Sequence, residues 1–351
     1  MSRKKTKQIH VGDVAIGGGA PVSVQSMTCT KTEDIRATVS QIAALEEAGC
    51  EIVRVAVPTV EAAEALGVIK KSIHIPLIAD IHFDYRLALQ AIENGADKIR
   101  INPGNIGSRD RVEKVLSAAK THGIPVRIGV NAGSLEKNII QKYKGVTAEG
   151  LVESALDHVK ICGEMDFEDI VLSIKSSNVP LMIRANKLLA REVLYPLHLG
   201  VTEAGTPKYG TLRSAVGIGI LLSEGIGDTL RVSLTGDPVE EVKAGFEILK
   251  TLNLRKHGVS IISCPTCGRT QIDLVAVVET LEKALAHIKK SIHIAVMGCA
   301  VNGPGEAKEA DIGVACGKGS AVLFRKGEVV RKIKEDEIVK VMLKEVEDWD
   351  G

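Results

Sequence analysis

Aromatic side chains are scarce: Phe, Trp and Tyr together make up 3% of the 351 residues. That leaves few flat platforms on which single-stranded nucleic acid could stack. Charge of one sign is also missing. The 45 Lys and Arg against 44 Asp and Glu give a formal net charge of +1, so no global field draws the chain to nucleic acid or to a membrane surface. No apolar run approaches the roughly 18 residues that a bilayer-spanning helix needs. The basic start MSRKKTKQ is not followed by the apolar core of a signal peptide. A cytoplasmic location is expected. Seven cysteines are an odd count in a long chain, which argues against a disulfide framework and for reduced thiols or metal ligands.

What is present is a repeated unit. A short β-branched run, a polar or Gly-containing turn and an amphipathic helical stretch recur through the first two-thirds of the chain. The runs are VSVQSMT (22–28), IVRVAVP (52–58), IPLIADIHF (75–83), KIRINPG (98–104), VRIGVNAGS (126–134), IVLSIKSS (170–177), LHLGVTEAG (197–205) and TLRVSLTG (229–236). Strict alternation of strand and helix implies parallel strands with right-handed crossovers, and eight such units close most simply into a TIM (β/α)8 barrel. An open doubly wound sheet is the rival, but no GxGxxG turn favours it. The last helix of the series begins Asp237-Pro238-Val239-Glu240, which reads as a capping Asp, a Pro at the first helical position and a Glu that completes a capping box. Near residue 255 the rhythm changes. A compact α+β module follows, with VSIISCPTCGRT (259–270), a helical stretch over 272–288, further short strands and a hairpin signal at Lys326-Gly327. The expected domains are 1–255 and 256–351.

Strands of a parallel barrel are buried on both faces and should be aliphatic. Here Arg54, Arg100, Arg127, Arg231 and Lys175 interrupt them. A buried cation needs an anion. An internal network with Asp80, Glu203 or Asp228 could serve any one of them, but five cations outnumber the nearby acids. A ligand with several negative charges, most simply a diphosphate, is the economical explanation, since Arg matches phosphate oxygens with a bidentate fork. Asn102, Asn131 and Ser233 follow these cations towards the strand ends, where barrels build their sites. His82, His198 and Glu203 are placed on the same rim. Glu203 is the candidate acid, on the expectation that burial raises its pKa.

In the second module, Cys264-Pro265-Thr266-Cys267 closes a strand, and Cys299 lies in the Gly- and Pro-rich stretch MGCAVNGPGEA with Glu306 at its end. A lone Cys-x2-Cys is shared by zinc sites and dithiol redox motifs, but a third Cys in a second tight loop points to metal. Glu306 is the preferred fourth ligand, because an exchangeable carboxylate lets one metal position open to substrate. Cys316 is the alternative, although GVACGKG reads as a buried strand end. Cys29, Cys50 and Cys162 form no mutual pattern.

Together VQSMT, RVAVP, DIHF, KIRINPGN, VRIGVNAGSL, SIKSS, LHLGVTEAG, RVSLTGDP, SCPTCGR and GCAVNGPGEA resemble, over essentially the whole chain, the IspG/GcpE family of bacterial 4-hydroxy-3-methylbut-2-enyl diphosphate synthases. The resemblance implies an oxidoreductase of the non-mevalonate isoprenoid pathway that opens 2-C-methyl-D-erythritol 2,4-cyclodiphosphate reductively, with loss of water and uptake of two electrons. It implies a [4Fe-4S] cluster on Cys264, Cys267, Cys299 and Glu306, and a substrate held by Arg54, Arg100, Arg127, Lys175, Arg231 and Ser233 with help from Asn102 and Asn131. It also implies Glu203 as proton donor and flavodoxin or ferredoxin as electron donor. Rival readings are a pterin- or corrinoid-linked methyltransferase barrel, which has no need of the three cysteines together, and a zinc-binding electron carrier or interaction protein, in which the buried arginines would be purposeless. Barrel helices run away from the catalytic face. An eighth helix of about 14 residues therefore carries the chain some 20 Å from the mouth, and about six linker residues reach back no further than roughly that distance. A head-to-tail homodimer, each second module serving the partner's barrel, is the expected answer.

Overall fold

The computed structural model describes residues 3–299, 305 and 307–349. Its contacts divide the chain into two compact units, residues 1–255 and 256–351.

In the first unit all eight expected strands form. They are β3 (Ser23–Met27), β4 (Ile52–Ala56), β5 (Leu77–Asp80), β6 (Lys98–Ile101), β7 (Val126–Asn131), β8 (Ile170–Lys175), β9 (His198–Leu199) and β10 (Thr229–Leu230). They pair in parallel in the order β8-β7-β6-β5-β4-β3-β10-β9, and a parallel bridge between Leu172 and Leu197 closes the ring. β9 and β10 are only two residues long, so much of LHLGVTEAG and TLRVSLTG is loop, and Arg231 lies just beyond its strand. The apolar side chains of the outer strand faces pack with the inner faces of the helices into one large core.

Register sets the heights of the inward side chains. From Ser23 the paired row runs through Thr229 and His198. Extended, it passes Ser173, Gly129, Asn102, His82 and Pro58, and meets the first strand again at Lys31. The return is eight residues further on (23 to 31), the stagger of a (β/α)8 barrel. One residue of stagger per strand means that side chains at one height come from alternate strands. The lowest of four such layers holds Ile52, Lys98, Val171 and Thr229, and above it lie Gln25, Ile78, Arg127 and His198. Then come Arg54, Arg100, Ser173 and Arg231, followed by Met27, Asp80, Gly129 and Gly200. Asn102, Lys175 and Ser233 stand above these, towards the mouth.

An antiparallel hairpin absent from the sequence expectations, β1 (Ile9–Val11) and β2 (Val14–Ile16), plugs the opposite end. Its Ile9, Val11 and Ile16 pack on Ile52, Ile78 and Val171. Gly12-Asp13 between two β-branched runs was the available turn signal. The final barrel helix, Pro238–Thr251, starts as expected with Asp237 accepting from the Val239 amide. The capping box is not completed, because Glu240 turns instead to Lys243.

The second unit is a five-stranded mixed sheet of β11 (Val259–Ser263), β12 (Ile292–Met297), β13 (Ile312–Gly317), β14 (Ser320–Arg325) and β15 (Glu328–Lys334), in that order. The first three are parallel and the last two antiparallel. Helices Leu274–Leu285 and Ile338–Glu347 cover its apolar face. Lys326 and Gly327 both take positive φ, 47° and 79°, as a two-residue hairpin turn requires.

Candidate active site

The layers fill the barrel with cations. Arg54, Arg100, Arg127, Lys175 and also Lys98, which sequence reading passed over, are all buried. Two acids meet part of that charge. Asp80 takes Arg100 at 3.0 Å and Arg54 at 3.4 Å. Glu241, on the first turn of the Pro238–Thr251 helix, takes Arg231 through Nε at 3.0 Å and Nη2 at 3.1 Å, and also accepts from Ser26 Oγ and the Leu234 amide. Of the three acids proposed as partners, only Asp80 serves. Asp228 is bound to Arg3 and Thr6, and Glu203 is exposed. Glu241 could not have been picked out, since an acid on a helix's first turn ordinarily answers the helix dipole.

Three cations remain over. Among the described residues, Lys98 and Lys175 have no ion pair, and neither Nε nor Nη1 of Arg127 has a partner. Burial, and then the neighbouring arginines, pull Lys98, Lys175 and Arg127 well below their ordinary values. Burial brings Arg54 down to about 10, Asp80 opposing. Room for the long side chains is made by glycine. A Cβ on Gly129 would lie 2.8 Å from Arg100 Nε, and one on Gly200 would lie 2.7 Å from Lys175 Nζ. The arrangement is an electropositive barrel interior, short of anions among the described residues, as a polyanion site requires.

At the mouth, Asn102 donates from Nδ2 to Ser134 Oγ at 2.8 Å and caps the turn after β6 through the Gly104 amide. Asn131 ends β7, and Ser233 is half-buried in the loop after β10. His82 is half-buried beside Asp80, but His198 is not on the rim: it is fully buried two layers below Asp80. The expectation of a buried Glu203 is also overturned, because the loop after β9 turns outward there with Glu203 at φ 53°, a left-handed conformation unusual for a residue with a side chain. An apolar groove between the outer helices Val179–Glu192 and Pro207–Ser223 contains none of these groups.

In the second unit, β11 and β12 are parallel neighbours with Ser263 opposite Val296, so Cys264 and Cys299 leave the sheet at the same edge. The Gly298 amide donates to Cys264 Sγ at 3.2 Å. Cys267 is exposed, and hydrogen bonds from the backbone and side chain of Arg269 lower its pKa. Soft sulfur donors on two adjacent strand ends suit iron–sulfur or zinc chemistry. Among the described residues, however, no three His, Cys, Asp or Glu side chains are drawn within ligating reach of one another. Glu306 lies outside the described residues. Cys316 is fully buried in β13, and burial pushes its thiol up to about 12.

Residues 6–246 match the family model described as the GcpE TIM-barrel domain, and residues 260–348 that of the GcpE protein C-terminal domain. The chain is 59% identical over 346 residues to the 4-hydroxy-3-methylbut-2-en-1-yl diphosphate synthase (flavodoxin) of Ruminiclostridium cellulolyticum, covering 99% of this chain and 98% of that one. It is 60% identical over 347 residues to the same-named protein of Clostridium acetobutylicum, covering 99% of each. Among solved structures, the N-acetylneuraminic acid synthetase of Leptospira borgpetersenii superposes with a TM-score of 0.49 at 13% identity, over 81% of this chain and 99% of that one, a likeness too distant to say more. Matched along both of its units and close to full-length relatives, the chain belongs to the GcpE family.

Proposed function

We propose that the chain is a 4-hydroxy-3-methylbut-2-en-1-yl diphosphate synthase, which converts 2-C-methyl-D-erythritol 2,4-cyclodiphosphate to (E)-4-hydroxy-3-methylbut-2-enyl diphosphate by two-electron reductive ring opening with loss of water. The observation that carries the reading is the excess of buried cations over acids inside the barrel. The diphosphate supplies the missing negative charge. Lys175, Arg127, Arg54, Arg100 and Arg231 grip it, with Ser233, Asn131 and Asn102 adding neutral hydrogen bonds, and Asp80 and Glu241 hold three of the guanidinium groups in place beforehand. Fixed in this way, the substrate keeps its scissile carbon–oxygen bond at the mouth. Glu203, exposed on the loop after β9, delivers a proton to the departing oxygen.

Cys264, Cys267, Cys299 and Glu306 are the residues proposed to hold a [4Fe-4S] cluster, which when bound supplies electrons and a Lewis-acidic iron. Flavodoxin is the proposed electron donor, after the name of the close relatives. The head-to-tail homodimer is retained as a proposal on the length and direction of the Pro238–Thr251 helix, which ends only seven residues (252–258) before β11.

Anaerobic protein with about four irons per chain, given the cyclic diphosphate and a one-electron reductant, should replace the substrate's phosphorus resonances with those of a linear diphosphate. A fully iron-loaded preparation that consumes none of the substrate would overturn the assignment, and a colourless protein holding zinc would favour the interaction-module alternative.

A further inference from the structure

The diphosphate site leaves the lowest layer of the barrel interior unexplained. Lys98 stands in the bottom layer of the barrel interior, one step below Arg127 and His198 and two below the layer of Arg54, Arg100 and Arg231. Lys98 and His198 have no exposed surface, and Arg127 has 1%. Lys98 Nζ, both ring nitrogens of His198, Nε and Nη1 of Arg127 and Oγ of Ser173 all lack a hydrogen-bond partner among the described residues. Native interiors rarely leave so many polar atoms unmet in one place.

Among the described residues, the groups nearest to them are already engaged. Asp80 is three layers above Lys98 and is taken by Arg54 and Arg100. Thr229, on the same layer as Lys98, already accepts from Gln25 Nε2 at 2.7 Å and donates to the Ser23 carbonyl at 3.1 Å. The substrate's phosphates would enter from above. Between them and Lys98, in backbone register, stands the layer of Arg54, Arg100 and Arg231, whose guanidinium groups are held by Asp80 and Glu241. Water alone is a poor filler. An ammonium and a guanidinium offer only donors, and a water that accepts from them brings no negative charge to offset theirs.

We propose that Lys98, Arg127 and His198 form a second, internal anion site beneath the substrate site, which takes a small monovalent anion, a halide such as chloride, as a permanent structural counter-ion. One such ion accepts from the Lys98 ammonium and from one of the two unpartnered N–H edges of Arg127, with His198 and Ser173 as further donors. It also removes the cost of two unpaired buried cations. Depth favours a small ion: Lys98 stands two layers below Arg54, Arg100 and Arg231, and Arg127 has a second edge left to face the substrate.

Two measurements test this on the intact protein. Crystals of the wild-type chain grown in sodium bromide should show an anomalous peak enclosed by Lys98, Arg127 and His198. In solution, chloride should raise the melting temperature over methanesulfonate at equal ionic strength by about 3 °C or more. The rise should persist in saturating cyclic diphosphate and vanish in Lys98→Met. The crystal experiment needs no variant, so it stands even if Lys98→Met fails to fold. Absence of an anomalous peak, or equal melting in the two salts, would overturn the proposal. So would a chloride effect that the diphosphate abolishes, because the halide would then have been borrowing the substrate's own phosphate position.

Discussion

Asp80 shows what a single carboxylate does when cations outnumber acids. Burial alone would raise its pKa, but Arg54, Arg100 and Arg127 more than reverse this and hold it well below the usual carboxylate range. With a depressed folded-state pKa, its stabilisation is complete above the ordinary carboxyl range near about pH 4 and is lost as the pH falls through the folded value. Asp80→Asn is therefore expected to cost about 3–5 kcal/mol at neutral pH in denaturant titration and to remove part of the acid-unfolding dependence. Glu203 makes the opposite case. It is exposed and ties down no cation among the described residues, so Glu203→Gln should leave the melting temperature and KM near those of the wild type while kcat falls by about 10²–10⁴. A KM that rose with kcat unchanged would place Glu203 in binding instead. The thiols separate as clearly. Burial raises Cys50, Cys162 and Cys316 to about 12, whereas Cys29 and Cys267 are exposed. In cluster-free native protein, iodoacetamide at mildly alkaline pH should label Cys29 and Cys267 first and spare the three buried thiols, as peptide mass spectrometry would report.

At the scale of the element, periodicity was enough to place every barrel strand, because the β-branched runs and the helices between them alternate without a gap. The lengths of β9 and β10 were not legible. A run such as LHLGVTEAG continues past the two residues that pair, since it must also build the loop that carries Glu203. The hairpin Ile9–Ile16 was passed over because six paired residues make a weak pattern, and only its place under Ile52, Ile78 and Val171 gives it a purpose. Arginines in strand interiors stood out because their burial contradicts what strands ordinarily hold. Lys98 opens its strand, where charge is unremarkable, so only the register shows it to be the deepest cation of all. Height in the barrel depends on stagger, and the sequence does not print stagger. The same geometry makes Gly200 specific: Gly200→Ala would put a Cβ 2.7 Å from Lys175 Nζ and 2.8 Å from the Arg231 carbonyl. It should raise KM for the cyclic diphosphate at least tenfold with secondary structure retained in circular dichroism.

On the scale of the whole molecule, the two units divide the chemistry. One gathers positive charge inside a barrel, and the other places Cys264 and Cys299 at one edge of a mixed sheet. If each module serves the partner's barrel, mixing Arg127→Ala with Cys264→Ser should recover some turnover through hybrid dimers. No recovery despite proven subunit exchange would reject that arrangement. More direct than any assay of turnover is calorimetric titration of the cyclic diphosphate into the unreduced, cluster-loaded enzyme, compared with Arg127→Met and Lys175→Met. The expected result is one site per chain, an affinity weakened about 10- to 100-fold in each variant, and for Lys175→Met a melting temperature no lower than that of the wild type, because that change removes an unpaired buried cation. Variants that bind as tightly as the wild type would contradict the assignment of the buried cations to the substrate.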